Sequence, residues 1–236
     1  MVIIIISLLV VTLTLVIILV IMAINNRQQK KVIKELEKIS IYDDLTKIFN
    51  YRYLKIELLR IVKETRRKIA EEMKQNPEGA QRREIKPFSF IMIDFDGLKE
   101  INDTWGHPVG DAFLKVIANA LTAIIRRAGD ILARYAGDEF SVILPETGSL
   151  AAQEIAEKMR LKVENTKVKT EDGLKSTTIS LGVITVTNFT GCENITAEEI
   201  IAAIIEKADS LLYQAKEAGR NKVVSAKATL KEVLAA

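Results

Sequence analysis

The sequence predicts an α+β fold: one transmembrane helix, then a domain whose mostly antiparallel central sheet is flanked by helices. Three observations support this. Residues 2–24 carry no charged side chain. After them, short apolar runs of strand length alternate with longer segments whose apolar residues recur at three- and four-residue steps. Turn-forming pairs such as Asp172-Gly173 join neighbouring short runs, which indicates hairpins and therefore antiparallel pairing.

The first segment, residues 1–25, is dominated by Ile, Leu and Val and is long enough to cross a ~30 Å bilayer as a helix. A secretory signal peptide is the competing interpretation, but no basic residue precedes the apolar run. Basic residues follow it directly, at Arg27, Lys30, Lys31 and Lys34. By the positive-inside rule, the chain is expected in the inner (plasma) membrane as a single-pass protein, with the lipid bilayer as a partner and the main domain in the cytoplasm.

Residues 26–42 are predicted to form a linker helix. Val32, Leu36 and Ile39 make a narrow apolar stripe, which suits a parallel two-helix contact or a linker lying on the main domain or on lipid. The net charge of +3 does not indicate a nucleic-acid partner. The single cysteine, Cys192, excludes an intrachain disulfide and is expected to be a passive loop thiol.

The main domain is predicted at residues 43–228, followed by a C-terminal tail at 229–236. Asp43 and Thr46 have the spacing of a cap for a helix at 50–73. The charged residues 75–86 are expected to be a solvated loop or a partner-binding loop. The remaining predicted elements are a strand at 88–93, a turn-rich connection at 102–110, helices at 111–127, 150–163 and 197–217, hairpins at 131–144 and 167–187, and a short strand at 221–225.

Two acidic pairs are candidates for chemistry. Asp94-Phe95-Asp96 ends an apolar strand, where an unpaired carboxylate is costly, and Asp138-Glu139 follows Gly137 at a hairpin tip. Side chains of successive strand residues alternate between faces, so Asp138 and Glu139 are not expected to act as one unit. Mg²⁺ takes oxygen ligands and shares them with substrate phosphates, so Asp94 and Asp138 are expected to hold such a cation if the strand and hairpin are neighbours. The hairpin alone is equally compatible with an ordinary polar turn.

The chain resembles the GGDEF family of diguanylate cyclases, through separated motifs that occur in the family's order between residues 43 and 224. The resemblance implies the palm-like fold of nucleotide cyclases. The matching motifs are Asp43-Asp44-Leu45-Thr46 with Asn50 and Arg52, residues 94–103, Gly106-His107, Gly110-Asp111, residues 134–140, Ser180-Leu181-Gly182 and residues 215–221.

The resemblance implies a role for each matching site residue. The expected metal ligands are Asp94, Asp138 and the backbone carbonyl of Phe95, binding Mg²⁺ with Mn²⁺ as an alternative. Asp138, Glu139 and Lys99 are expected to be catalytic, whereas His107 is expected to be structural. The substrate-binding residues are expected to be Gly97 and Leu98 through their backbone, Lys216 and Arg220 on the β- and γ-phosphates, and Asn102 and Asp111 on the guanine edge. A helix cap at Asp111 and a solvated helix face at Lys216 and Arg220 are the alternatives.

The implied function is Mg²⁺-dependent condensation of two GTP into cyclic di-GMP and pyrophosphate across a homodimer. Arg127 and Asp130 match the family's inhibitory product site; the alternative is that they simply end a helix with Gly129 as its C-cap. A catalytically inactive receptor for a guanine nucleotide or cyclic di-GMP is the second hypothesis, and a purely structural anchor is the third. The chain departs from the family pattern at Ala136, at Gly97-Leu98 and at Lys47.

Overall fold

The computed structural model describes residues 2–39, 41–75, 86–189 and 194–235. The expectations for the loop at 75–86 and for Cys192 therefore concern residues that lie, wholly or almost wholly, outside the described ones. The chain divides into two compact units, Met1–Ser40 and Ile41–Ala236.

The first unit is a single helix, α1 (Val2–Ile39). The predicted membrane segment and the predicted linker helix are thus parts of one continuous helix. Its stretch Thr12–Ile33 is long and apolar enough to cross a membrane. In this stretch the large apolar side chains are exposed within their unit, so they are available to lipid or to another helix.

The second unit is built on a six-stranded sheet with the strand order β1-β3-β4-β2-β7-β8. The pairs β3–β4, β4–β2 and β2–β7 are antiparallel, whereas β1–β3 and β7–β8 are parallel, so the predicted mostly antiparallel sheet is confirmed. The strands are β1 (Phe49–Asn50), β2 (Phe88–Asp96), β3 (Ile131–Ala136), β4 (Glu139–Leu144), β7 (Thr178–Val186) and β8 (Val223–Ala228), with β5 (Lys167–Thr170) and β6 (Gly173–Ser176) forming a separate hairpin.

Among the described residues of the second unit, six helices bury the two faces of the sheet. They are α2 (Tyr51–Gln75), α3 (Leu98–Trp105), α4 (His107–Thr122), α5 (Ser149–Glu164), α6 (Ala197–Glu217) and α7 (Leu230–Leu234). One core joins α2, α6 and α7 to side chains of β2 such as Phe90 and Met92. The other joins α3, α4 and α5 to the alternate side chains Ile91 and Ile93. Because side chains alternate between the two faces of β2, each layer of helices packs against every second residue of the strand.

Several predicted boundaries are wrong in the region after β2. The predicted turn-rich connection at 102–110 is instead the end of α3 and the start of α4, which begins at His107 after Gly106. α4 also ends at Thr122 rather than at residue 127. The predicted hairpin at 167–187 divides into the β5–β6 hairpin and the central strand β7.

The two ends of the main domain also differ from prediction. Asp43 does not cap α2: its carboxylate accepts bonds from the backbone N–H and the hydroxyl of Thr46, while Asn50 Oδ1 accepts the N–H of Tyr53 in the first turn of α2. The predicted C-terminal tail is wrong as well. Residues 230–234 form α7, whose Leu230 and Val233 are buried in the core. The three-residue spacing of Leu230 and Val233 is the pattern in the sequence that could have indicated this helix.

Two buried serines of the central sheet differ in how their hydroxyl groups are satisfied. Ser89 Oγ contacts the carbonyl oxygen of Thr147 at 2.9 Å and the hydroxyl of Thr185 at 2.7 Å. Ser141 is equally buried, but its Oγ has no hydrogen-bond partner. A buried polar group without a partner costs its desolvation free energy and returns nothing.

We therefore expect Ser141→Ala to leave the free energy of unfolding unchanged or to raise it by up to about 1 kcal/mol, whereas Ser89→Ala lowers it by about 1–3 kcal/mol. Urea unfolding of the chain, followed by the fluorescence of the single tryptophan, Trp105, measures both. Equal losses in the two variants would mean that Ser141 has a stabilising partner.

Candidate active site

The end of β2 lies directly beside the tip of the β3–β4 hairpin. Asp94 is opposite Glu139 in the strand register, and the backbone N–H of Phe95 donates to the carbonyl oxygen of Asp138 at 3.2 Å. The strand and the hairpin are therefore neighbours, which is the condition on which the predicted pairing of Asp94 with Asp138 depends.

Arg134 fixes the conformation of the hairpin tip. Its Nε and Nη2 donate to the carbonyl oxygen of Gly137 at 2.9 and 2.7 Å, and its Nη1 donates to the carboxylate of Asp43. Gly137 has a φ of 48°, in the left-handed region that favours glycine. Ala136, the departure from the family pattern, is the last residue of β3 and has no positive φ. Its methyl group therefore does not strain the turn.

Asp94, near the end of β2, contacts the ammonium group of Lys216. Lys216 Nζ is 2.8 Å from Asp94 Oδ2, and Asp94 itself is 9% exposed. Burial raises the pKa of Asp94, the bond to Lys216 lowers it, and the charges of Asp138 and Asp96 raise it further. This excess of negative charge in a partly buried place is an environment that favours binding of a cation.

A cleft of about 430 Å³ opens at this end of the sheet. All of the residues predicted for metal and phosphate binding line it: Asp94, Phe95, Gly97, Leu98, Lys99, Asp138, Lys216 and Arg220. Within the described ranges, no three or more His, Cys, Asp or Glu side chains form a group that could hold a metal ion. A cation here would thus take two carboxylates and other oxygens, such as the Phe95 carbonyl and substrate phosphates.

Asp138 and Glu139 line different cavities, although strand alternation is not the reason, because Asp138 lies in the turn before β4. Asp138 lines the cleft with Asp94, whereas Glu139 lines a neighbouring cavity of about 480 Å³ with Tyr51, Tyr135 and Asp209. Burial raises the pKa of Glu139, and so do the charges of Asp94, Asp138 and Asp209. Glu139 therefore remains within electrostatic reach of the cleft although it does not line it.

Asn102 and Asp111 come from two consecutive helices, α3 and α4. The side chain of Asn102 packs against the backbone of Gly110, the neighbour of Asp111: a Cβ at Gly110 would lie 1.9 Å from Asn102 Oδ1. Because Gly110 has no side chain, the amide of Asn102 can lie against the backbone that leads into Asp111. The alternative role of Asp111 as a helix cap is wrong, because α4 begins at His107 with Gly106 as its N-cap.

Lys216 and Arg220 line the same cleft, but not because both lie on one helix face. α6 ends at Glu217, and the chain continues in a C-terminal motif in which the N–H groups of Gly219 and Arg220 donate to the carbonyls of Lys216 and Ala215. Arg220 therefore reaches the cleft from a turn with left-handed backbone. The expectation that Lys216 and Arg220 share one helix face is wrong, although both residues line the cleft.

The structure also brings Asp96 and Asn221 into this region, two residues to which the sequence interpretation gave no role. The Asp96 carboxylate accepts bonds from Thr178, Ser180 and the backbone of Asn221. The period of two along β2 could have indicated Asp96, because it places Asp96 on the same face as Asp94. Its partners come from distant parts of the sequence and could not be predicted from it.

A second site lies away from the cleft, in a cavity of about 560 Å³ lined in part by Arg127 and Asp130. Arg127 Nη1 donates to the hydroxyl of Thr147 at 2.9 Å, while Asp130 Oδ1 is buried without a hydrogen-bond partner. Burial raises the pKa of Asp130, and the charge of Arg127 lowers it. The alternative of a helix end is wrong, because the C-cap of α4 is Ala123 and not Gly129.

Comparison with known proteins gives a family match over more than half of the chain. The model of the family "Diguanylate cyclase, GGDEF domain" matches residues 64–222. The match includes both carboxylate pairs, the α3–α4 pair, Arg127 and Asp130, and ends just after Arg220.

Curated relatives and solved structures that are similar to the chain include the following three proteins. The response regulator PleD of Caulobacter vibrioides is 35% identical over 79% of this chain, and the diguanylate cyclase DosC of Escherichia coli is 35% identical over 85% of it. The chain spans little more than a third of either relative, 36% and 38%. The GGDEF domain of DgcB from Caulobacter crescentus, solved in complex with c-di-GMP, covers 79% of this chain and 95% of its own, with 25% identity and a TM-score of 0.61.

Proposed function

We propose, because this chain belongs to the GGDEF family of diguanylate cyclases, that it condenses two molecules of GTP into cyclic di-GMP and pyrophosphate. The observation that carries the proposal is the single cleft at the end of β2, in which every residue expected for metal and phosphate binding is brought together. A triphosphate needs cationic donors beside a site for a divalent cation, and the cleft supplies Lys99, Lys216 and Arg220 beside two carboxylates.

Mg²⁺ fits the donor set of this cleft, with Mn²⁺ as an alternative. Asp94, Asp138 and the carbonyl oxygen of Phe95 would hold it. When bound, the cation neutralises charge on the phosphates and lowers the pKa of the attacking hydroxyl. Burial, the largest effect, leaves the pKa of Asp94 raised although the bond to Lys216 lowers it, and a bound cation would favour the ionised carboxylate.

The reaction we propose joins the 3′-hydroxyl of one GTP to the α-phosphate of another, releasing pyrophosphate, and a second round closes the ring. Lys99, Lys216 and Arg220 bind and orient the leaving phosphates, and Asp138 and Glu139 are the catalytic carboxylates of the hairpin tip. One subunit offers one such cleft, so two subunits of a homodimer must face each other. Assembly then controls activity.

The receptor hypothesis is the weaker one. A domain that only bound a guanine nucleotide would not need the complete set of metal and phosphate ligands. The chain keeps Asp94, Asp138 and all three cations of the cleft. A structural anchor would leave the same residues without a purpose.

We also propose that α1 spans the inner membrane with the second unit in the cytoplasm. Support comes from the length and composition of Thr12–Ile33 and from the basic residues that follow the uncharged segment. The lipid bilayer is then a partner of the chain.

Product formation tests the proposed reaction. The full chain in detergent, incubated with GTP and Mg²⁺, is expected to yield cyclic di-GMP on chromatography. Asp138→Ala removes a metal ligand at a hairpin tip and is expected to lower the rate by about 100-fold or more. Glu171→Ala, which removes a carboxylate at the exposed tip of the β5–β6 hairpin, is the matched control and should keep the wild-type rate. GTP binding without any cyclic product would favour the receptor hypothesis.

Nucleotide choice tests the proposed roles of Asn102 and Asp111. A carboxylate and an amide can bond the donor pair on the guanine edge, which adenine lacks, so GTP is expected to be used and ATP rejected. Asn102→Ala and Asp111→Ala are each expected to raise KM for GTP by about tenfold or more. Asn119→Ala, at an exposed position of α4, is the control. Equal use of GTP and ATP by the wild type would contradict these roles.

Feedback by product tests the second cavity. An unpaired buried carboxylate oxygen beside an arginine suits a ligand that offers both donors and phosphate, so we propose that cyclic di-GMP binds at Arg127 and Asp130 and holds two domains apart. Calorimetry is expected to show binding that the double variant Arg127→Ala, Asp130→Ala weakens about 100-fold. Arg126→Ala is the control, since Arg126 bonds only the backbone of Ala123. Unchanged affinity in the double variant would remove the assignment.

A further inference from the structure

Asp96 is an acid of the β2 end that has no part in the metal and phosphate contacts above. Its Oδ1 accepts the hydroxyl of Ser180 at 2.8 Å, and its Oδ2 accepts the hydroxyl of Thr178 at 2.7 Å. Oδ2 also accepts the backbone N–H of Asn221 at 3.1 Å. Both oxygens of Asp96 thus accept bonds from uncharged donors, whereas Asp94 contacts the charged ammonium group of Lys216.

The segment that Asp96 holds has an unusual backbone. Arg220 and Asn221 both have left-handed φ angles, 59° and 48°, directly after Gly219 at 105°. Left-handed backbone costs a residue with a side chain about 1–2 kcal/mol, so two in succession persist only where other contacts impose them. The bond from Asn221 N–H to Asp96 is such a contact, because it requires this orientation of the peptide between Arg220 and Asn221.

The side chain of Asn221 is fixed from a second direction by α5. Its Oδ1 accepts Arg160 Nη1 at 2.9 Å, and its Nδ2 donates to Glu164 Oε1 at 2.7 Å. Arg160 also pairs with Glu157 and Glu164 and is only 15% exposed, so this anchor is well ordered by its own contacts. The turn is therefore held at two places. The backbone N–H of Asn221 is bonded to Asp96 of β2, and the side chain of Asn221 is bonded to Arg160 and Glu164 of α5.

Arg220 is the residue that this turn presents to the cleft. Its side chain lines the cleft with Lys216, yet its backbone lies beyond the helix that carries Lys216. Arg220 is exposed at the cleft, so the backbone of the turn decides the point from which its side chain enters the cleft. Phosphate recognition by an arginine needs its planar fork to be oriented in advance.

We propose that Asp96 is a positioning residue for triphosphate binding: its carboxylate holds the left-handed turn at Asn221 and thereby places Arg220 beside Lys216. This inference rests on the proposed function, because it concerns the same cleft. It gives Asp96 a role that differs from that of a metal ligand, although Asp96 lies two residues from Asp94 on the same face of β2. Asp96 acts on the substrate only through Arg220.

A double-mutant cycle between Asp96→Ala and Arg220→Ala tests the coupling. The ligand is guanosine 5′-(α,β-methylene)triphosphate, whose α–β bridge cannot be cleaved, and binding to the full chain in detergent is measured by calorimetry. Each single variant is expected to weaken affinity by about tenfold or more, and the double variant no further than Arg220→Ala alone. Affinity for GMP, which has no β- or γ-phosphate, is expected to stay at the wild-type value in all variants.

Thr177→Ala is the matched control. Thr177 Oγ1 donates to the backbone carbonyl of Asp96 at 3.0 Å, so this variant removes a bond at the same residue without touching the carboxylate. It is expected to bind the triphosphate like the wild type. If Asp96→Ala does not fold, as judged by the fluorescence of Trp105, the cycle is repeated with Asp96→Asn, which retains the shape but loses one acceptor.

The outcomes separate the inference from the proposed function. Three outcomes would overturn the positioning role while the proposed function stands. In the first, the losses of triphosphate affinity in the two single variants multiply in the double variant. In the others, Asp96→Ala loses as much affinity for GMP as for the triphosphate, or binds the triphosphate like the wild type. A changed Mg²⁺ requirement in Asp96→Ala, with no dependence on Arg220, would make Asp96 a metal ligand and would also overturn it. A wild-type chain that binds no guanosine triphosphate would contradict the proposed function and the inference with it.

Discussion

The hydrogen-bonded register of β2 between β4 and β7 is the constraint on which the candidate site depends. It places Asp94 opposite Glu139 on one side and opposite Ser180 on the other. The chain leaves β2 directly into α3, so the backbone at Gly97 and the side chain of Lys99 lie at the same end of the sheet. A shift of β2 by one residue would turn Asp94 into the opposite core and separate it from Lys216.

Polar groups that the protein leaves unbalanced mark both cavities. Burial and the charges of Asp138 and Asp96 raise the pKa of Asp94 against its bond to Lys216, and in the second cavity one oxygen of Asp130 is buried without a partner. Elsewhere in the described ranges buried polar side chains find partners, with Ser141 as the exception. A buried carboxylate oxygen without a partner is costly in a folded protein, which agrees with the ligand proposed for the second cavity.

Left-handed backbone at residues with side chains occurs at the same places. Arg220 lines the cleft, with Asn221 next to it in the chain, and Glu146 lines the second cavity. Lys47, where the family commonly has glycine, has a φ of 61° in the turn that carries Asp43, the partner of Arg134. Such conformations cost free energy and persist where surrounding contacts impose them, as the bond from Asn221 N–H to Asp96 does beside the cleft.

The sequence by itself determined the α+β class, the position of most helices and strands and the uncharged first segment, and the resemblance of its motifs to the GGDEF family indicated the residues that line the cleft. Periodicity and separated motifs carry this information because they depend on residues that are near one another in the chain. Only the tertiary structure decided how Arg220 reaches the cleft, that Arg127 and Asp130 lie beyond the end of α4, that α7 belongs to the core and that Asp96 holds Asn221. These features depend on bonds between residues far apart in sequence, such as the bond from Asn221 N–H to Asp96, and no local pattern encodes such pairs.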